Sequence, residues 1–383
     1  DTILFRWENM ASIGVGAFVL SIFWRWSMER KARGAVSTGP SLFARALEGV
    51  RQPKPRYTCL GLIAVLMLVM PYISSMYQIS IMISALIYIM LGLGLNIVVG
   101  LAGQLVLGYA AFYAVGAYTY GLLNTYFGLG FWAVLPVGGI MAALFGLMLG
   151  FPVLRLKGDY LAIVTLAFGE IIKSVLTNTY LAVDKKGLHF SFLTDKNALE
   201  EGGLQLIRGP MGVMNTQRIS TFTVGFVLVM ITLVVIFNLV NSRTGRAIMA
   251  ARDNRIAAES VGISVTKYKM IAFVTSAALA GAAGTLYGCS QTTFVATKFD
   301  FNTSILILVF VVLGGLGNMW GSVIAAAALT ILPEALRQFA DYRMLVYAIV
   351  LILVMLATNN PAIWGFFARL RERRAEKKGG AAK

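Results

Sequence analysis

The sequence predicts an all-α polytopic membrane protein, a bundle of about ten or eleven transmembrane helices. Hydrophobic residues make up 58% of the chain and charged residues 13%, about half the charged fraction of a soluble domain. Apolar runs near the roughly 20 residues that cross a bilayer recur along the chain. The net charge of +16 is concentrated in a few segments between these runs, which is typical of membrane topology rather than nucleic-acid binding.

The apolar runs define eleven candidate spans, and ten is nearly as good a count because the first, ninth and last runs are short. The runs lie at about 9–24, 57–73, 79–100, 105–123, 129–150, 160–177, 220–240, 268–289, 304–317, 319–337 and 344–358. Small residues are dense within them. Since lipid gives little hydrophobic drive between helices, close packing at small residues is expected to hold the bundle together.

Charge counts predict the orientation. Residues 25–56 contain eight Lys and Arg against two acids, which places this segment in the cytosol and the N-terminus outside. Alternation then places the basic loop 241–267 and the C-terminal tail inside. The loop 178–219 falls outside, in the periplasm, and carries five basic and four acidic residues, the near balance of an exported loop. Agreement among these segments favours an odd number of spans.

These assignments divide the chain into three parts. Residues 1–56 form an N-terminal span and a basic cytosolic linker, 57–358 form the transmembrane domain, and 359–383 form a basic cytosolic tail. Two glycine-punctuated turns, Gly100–Gln104 and Gly314–Asn318, resemble each other, and each follows an apolar run. An internal repeat of the kind found in transporter folds would explain the similarity, and chance would explain it equally well.

Polar groups within the spans are the candidate lining of a solute path. Glu170 and Lys173 lie three residues apart in the sixth run, on one face of a helix. Charges inside a membrane are costly, so this is either a self-neutralising ion pair or a site where Glu170 faces a solute. Asn96, Gln104 and Thr165 are further candidates for the path, although such neutral groups often serve as links between helices.

The absence of several motifs excludes several kinds of chemistry. The chain has one histidine, His189, without a partner at metal-ligand spacing, and it lacks a Gly-x-Ser-x-Gly elbow and a phosphate-binding loop of the ATPase type. No metal, cofactor or catalytic group of its own is therefore expected. Three classes remain: the membrane subunit of a pump driven by a separate ATPase, a secondary transporter or channel, and a membrane-embedded enzyme. Ion-coupled carriers usually carry more intramembrane acids, and an enzyme would need catalytic groups.

The basic loop 241–267 favours the first class. Alanine and arginine dominate Gly245–Ser260, which predicts a short helix. Apolar residues recur near helical spacing and would let one side dock on another protein or on the bilayer surface; they are Ala247, Ile248, Ala251, Ile256 and Val261. A solvated loop that only sets orientation is the alternative.

Within this loop, Ala257–Gly262 resembles the Ala-Ala-x-x-x-Gly core that importer permeases of the ATP-binding-cassette class insert into a groove on their ATPase. Ile256 stands where the wider class has Glu. The stretches Leu91–Gly103 and Phe151–Ile171 closely resemble the larger, M-type permease subunit of high-affinity branched-chain amino acid importers, and the similarity runs with gaps over about residues 79–358.

The resemblance implies a non-enzymatic half-channel in the bacterial inner membrane that pairs with a second permease subunit and two cytosolic ATPase subunits. These ATPase subunits would bind the ATP. A periplasmic amino-acid-binding protein would deliver leucine, isoleucine or valine. The residues that the resemblance places in the ATPase-coupling helix are Arg255, Ala257, Ala258, Glu259 and Gly262.

Overall fold

The computed structural model describes residues 76–154, 156, 158–184, 187–193, 204–214, 222–335 and 352. Within these ranges the chain is mostly helical, as expected for a polytopic membrane bundle. The α-helices are α1 Met76–Asn96, α2 Ala110–Phe127, α3 Phe131–Val153, α4 Asp159–Thr177, α5 Phe222–Asn241, α6 Arg243–Asp253, α7 Arg255–Ser260, α8 Val265–Ser290, α9 Phe301–Gly314 and α10 Met319–Ala335.

Each predicted span that falls in the described ranges coincides with one of these helices. Among the described residues, six stretches are long and apolar enough to cross a membrane: Met76–Leu101, Phe131–Val153, Asp159–Thr177, Phe222–Asn241, Val265–Ser290 and Ala296–Gly314. The predicted helical membrane architecture is confirmed. The predicted spans at 9–24 and 57–73, and that at 344–358 apart from residue 352, lie outside the described residues, so the total count and the orientation stay predictions.

Helix α2 lies at the centre of the bundle, although it carries many polar side chains. It carries four tyrosines, two threonines and an asparagine, and most of its side chains are buried. Helices α3, α4 and α8 pack around it. These three helices shield the hydroxyl groups of α2 from lipid.

Glycines bring the central helices into backbone contact. Gly116 on α2 lies against the backbone of Gly281 on α8, so that a Cβ on Gly116 would overlap the Gly281 carbonyl oxygen. Gly281 lies in the same way against the carbonyl group of Gly138 on α3, and Gly284 against the carbonyl oxygen of Tyr113. This is the packing at small residues that the sequence predicts, and it fixes α2, α3 and α8 together.

Between α1 and α2 the backbone leaves the α-helical path. Ile97–Leu101 forms one π-helical turn, and the chain then continues without regular structure to Tyr109. The predicted span at 105–123 therefore becomes helical only at Ala110. Ala102, Gln104 and Val106 are nevertheless buried, so this irregular segment belongs to the core.

The loop 178–219 contains a small sheet that none of the sequence patterns predicts. Its strands are β1 Thr179–Asp184, β2 Gly187–Phe192 and β3 Leu204–Arg208, arranged in the order β2-β1-β3 with both pairings antiparallel. A turn at Gly209–Met211 follows β3, after which Val213 pairs with Phe294 in the loop after α8. The sheet is thereby tied to the helical bundle.

Replacing Gly116 by alanine is expected to destabilise the bundle, because the added Cβ would meet the Gly281 backbone, which has no side-chain freedom with which to yield. Overpacking of this kind costs about 1–3 kcal/mol. The matched control is Gly139→Ala on α3, where the added Cβ would lie 3.5 Å from the Ala278 oxygen, an ordinary contact. Thermal unfolding in detergent should show a lower midpoint for Gly116→Ala alone. Equal midpoints for the two variants would contradict the packing argument.

Candidate functional site: the basic loop and the glycine turns

The basic loop 241–267 folds into two helices where the sequence predicts one across Gly245–Ser260. The break falls at Asn254, whose backbone is extended at φ −151° and ψ 108°. Its side-chain oxygen accepts a hydrogen bond from the Ala257 amide at 3.1 Å, which caps the start of α7. Alanine and arginine favour helix throughout this stretch, but asparagine is one of the best N-cap residues, and its local bond ends α6 and starts α7.

Gly262 completes the frame of α7. The Gly262 amide donates to the Glu259 carbonyl and the Ile263 amide donates to the Ala258 carbonyl, both at 3.0 Å. This pair of bonds is the Schellman arrangement, which requires a left-handed residue after the helix. Gly262 supplies it at φ +82°. The glycine of the Ala-Ala-x-x-x-Gly pattern therefore ends the short helix.

The helix α7 has one buried and one exposed side. Ala258 is 3% exposed and packs with Ala251 and Val265, whereas Ile256 is 81% and Val261 73% exposed. The apolar row predicted from helical spacing is thus divided, because Ala247 and Ile248 are buried with Ala251 while the other two residues face outward.

Three of the five predicted coupling residues lie on the outer side of α7. Arg255 and Glu259 form an ion pair at 2.9 Å and are about half exposed, and Ala257 is exposed beside them. We call Arg255, Ile256, Ala257, Glu259 and Val261 the coupling surface. Ala258 and Gly262 support this surface from within, by burial and by the terminal turn.

The basic loop also contacts the glycine turns inside the bundle. The guanidinium of Arg252 donates from Nη1 to the Gly100 carbonyl oxygen at 2.6 Å. The turn at Gly100 lies against Gly317, since a Cβ on Gly100 would overlap the Gly317 amide nitrogen. Asn96 binds the two turns together, because its Oδ1 accepts from the Gly317 amide at 2.8 Å. The two similar turns of the sequence are therefore neighbours in space, and their origin in a repeat stays a prediction.

The candidate path residues fall into two groups. Asn96 holds the glycine turns, and the Thr165 hydroxyl accepts from the Leu107 amide at 3.1 Å while donating to the Ala162 carbonyl at 2.9 Å. These bonds satisfy backbone groups, which favours a structural role. Gln104 is buried, and its Oε1 has no hydrogen-bond partner. The hydrogen bonds described for Asn96 and Thr165 do not link them to each other or to Gln104, so the three residues do not form one common site.

Glu170 lies instead in an open cleft. Its Oε2 accepts from Lys173 Nζ at 3.0 Å, so the ion pair expected from the spacing is formed, and its Oε1 accepts from the Phe301 amide at 3.3 Å. The Glu170 side chain is 43% exposed, so the pair is not sealed inside the protein. The residues that line the cleft are Leu107, Gly108, Ala110, Leu166, Gly169, Glu170, Phe299, Asp300, Phe301 and Ser304.

Two contacts of the candidate site have no clear sequence signal. Arg252 looks like any other arginine of a basic loop, and only the folded chain shows that it reaches Gly100, 152 residues away. Asp300 begins α9, where its side chain accepts from the Thr303 amide, and it joins Glu170 in the cleft only through tertiary packing. In the part of the chain that the structure describes, no group of three or more His, Cys, Asp or Glu side chains could hold a metal ion.

Comparison with known proteins identifies the scaffold that carries this loop. The family model described as "Branched-chain amino acid transport system / permease component" matches residues 77–355. The chain belongs to this permease family. It is a multi-pass membrane protein and a transport component rather than an enzyme.

Individual relatives agree with this assignment. The permease is 41% identical over 339 residues to the high-affinity branched-chain amino acid transport system permease protein LivM of Salmonella typhimurium, covering 86% of this chain and 79% of that protein. It is 42% identical over 334 residues to the Escherichia coli protein of the same name, covering 83% and 77%. A fructose import permease, FruG of Bifidobacterium longum, is 28% identical over 208 residues, covering 50% and 60%. No solved structure matches the chain significantly.

Removing the cap at Asn254 is expected to loosen α7 while leaving the permease folded. Loss of an N-cap costs about 1 kcal/mol, which corresponds to roughly fivefold faster amide exchange in a helix that opens locally. Hydrogen–deuterium exchange across 255–260 should therefore accelerate in Asn254→Ala. Asn254→Asp keeps the acceptor oxygen and should exchange like the wild type. Equal acceleration in both variants, or in neither, would show that this oxygen does not hold α7.

Proposed function

We propose that this chain is the membrane-spanning permease subunit of an ATP-driven importer of branched-chain amino acids. It forms half of the translocation path in the bacterial inner membrane, beside a second permease subunit. Two ATPase subunits bind and hydrolyse ATP on the cytosolic side, and a periplasmic binding protein delivers leucine, isoleucine or valine. The chain itself uses no cofactor.

The main support for this proposal is the similarity to the two LivM permeases. It extends over more than three quarters of each relative, at 41% and 42% identity. The fructose import permease is a weaker match at 28% over half of this chain, so the amino acid is favoured over the sugar as the solute. The family as a whole therefore includes more than one solute class, and substrate identity rests on the stronger relatives.

The coupling surface supports an ATPase partner. Two large β-branched side chains, Ile256 and Val261, stand in the open on a loop rich in arginine. A loop that only sets topology needs charge but has no use for apolar side chains at the tip of a capped helix. Apolar side chains ringed by polar ones are typical of the centre of a protein interface. Movement of the ATPases would thus reach the permease through α7.

A secondary transporter or channel that works without ATP is the alternative, and the two classes differ in what binds α7. Tagged wild-type chain purified from its native membrane should carry ATPase subunits with it. Ile256→Asp places a charge at the centre of the coupling surface and should weaken ATPase binding at least about tenfold, the effect of losing one interface anchor. Thr266→Asp, ten residues away and also exposed, is the control and should retain the ATPases. A lone oligomer in every eluate would favour the carrier or channel.

Glu170 is the proposed polar contact for the solute. Branched-chain amino acids are zwitterions with an apolar side chain. The cleft offers the Glu170 carboxylate, which is paired with the Lys173 ammonium, and apolar walls from Leu107 and Leu166. A solute ammonium group could exchange for that of Lys173 without leaving a carboxylate unpaired. Because Glu170 is partly exposed, its desolvation would cost less than that of a fully buried charge.

Glu170→Gln is expected to reduce uptake of leucine about tenfold, the weight of one charge-assisted hydrogen bond, while leaving assembly intact. Lys173→Met breaks the same ion pair but keeps the carboxylate, so it should reduce uptake less. Uptake by proteoliposomes containing the purified complex measures both, and Ser174→Ala on the exposed part of α4 serves as a control. Equal losses in the two ion-pair variants would mean that the pair is structural.

A further inference from the structure

Arg252 connects the coupling surface to the core of the bundle. It is the second-last residue of α6, two residues before the Asn254 cap that starts α7. Its Nε and Nη2 donate to the Asp253 carboxylate at 3.1 Å and 2.9 Å, and its Nη1 donates to the Gly100 carbonyl. Since the guanidinium is planar, binding two of its nitrogens to Asp253 fixes the direction of the third.

Two other arginines of the basic loop bond locally. Arg246 donates to the carbonyl oxygen of Asn241 at 2.9 Å, and Arg255 donates to Glu259 within α7. Arg252, by contrast, spans 152 residues of sequence in one hydrogen bond. Among these three side chains it alone ties the loop to another part of the molecule.

The carbonyl oxygen that accepts this bond belongs to a turn where the helical path is interrupted. Gly100 belongs to the π-helical turn that ends α1, and Gly317 belongs to the turn between α9 and α10. Gly103 also lies against the arginine, because a Cβ there would come within 2.7 Å of Arg252 Cγ. A Cβ on Gly317 would lie 3.9 Å from Arg252 Nη1. The arginine thus lies beside both glycine turns, which Asn96 already binds to each other.

We propose that Arg252 is a positioning residue for transport, which passes the displacement of α7 to the paired glycine turns and so to α1, α9 and α10. The inference rests on the proposed function, because it needs a motor that moves the coupling surface. A hydrogen bond to a carbonyl at a helix end suits this role, since such carbonyls lack partners within their own helix. A second route exists through Val261–Ser264 directly into α8, where Ala258 packs on Val265.

The test separates these two routes. The purified complex of permease, ATPases and binding protein in proteoliposomes is assayed for leucine import and ATP hydrolysis together. Arg252→Ala should lower the ratio of leucine imported to ATP hydrolysed at least about threefold, within the range of residues that carry coupling between sites. Arg246→Ala removes an equal charge and a local bond, and should keep the wild-type ratio. Arg252→Lys retains a donor for Gly100 and should restore part of the ratio.

A purely structural role for Arg252 would change yield and melting temperature but not this ratio. Should Arg252→Ala fail to assemble, the lysine variant is measured in its place, together with hydrogen exchange at 97–104 and 315–318, which should rise in both segments. An unchanged ratio in an assembled Arg252→Ala complex, or unchanged exchange at the glycine turns, would overturn the proposal in favour of the route through α8. If no ATPase accompanies the wild-type chain, the proposed function fails first, and that outcome is recognised before any variant is compared.

Discussion

Backbone contact between α2, α3 and α8 is the constraint on which the rest of the structure depends. Water does not drive these helices together inside a bilayer, so their association depends on van der Waals contact and on polar bonds between helices. Gly116, Gly138 and Gly281 allow the three backbones to touch, and no side chain can be added there without separating the helices. The polar helix α2 can be central because this contact encloses it. The basic loop and the glycine turns are then placed around a rigid centre.

Where helices are interrupted, side chains from other parts of the chain form hydrogen bonds with backbone groups that lack a partner within their own helix. Asn96 binds the Gly317 amide, Thr165 binds the Leu107 amide, and Ser304 accepts from the Ala110 amide at 3.0 Å. Arg252 serves the Gly100 carbonyl in the same manner. Polar groups in this bundle therefore have two distinct uses. The four side chains named above complete interrupted helices, whereas Glu170, paired with Lys173, is open to a cleft.

The membrane-spanning helices could be predicted from the sequence, because a long run of apolar residues indicates a segment that is buried in the bundle or in contact with lipid. It could not predict contacts set by tertiary packing. Asn254 is a favourable N-cap residue and therefore a local signal for a helix boundary. The alanines and arginines on either side favour helix, and their propensities predict one continuous helix. The meeting of Gly100 with Gly317 depends on how helices more than 200 residues apart are arranged. The β1–β3 sheet likewise depends on pairing across a charged segment without clear alternation.

The division of α7 into a buried support and an exposed surface bears on how such transport systems diversify. Asn254, Ala258 and Gly262 define the shape of the helix from within, whereas the side chains of Ile256 and Val261 are mostly exposed. Under the proposed function, substitutions on the outer side would alter recognition of the ATPase without disturbing the membrane bundle. After a gene duplication, one copy could pair with a different ATPase by exchanging a few outward side chains. Its buried residues would keep the shape of α7, so the new ATPase would engage the helix in the same geometry.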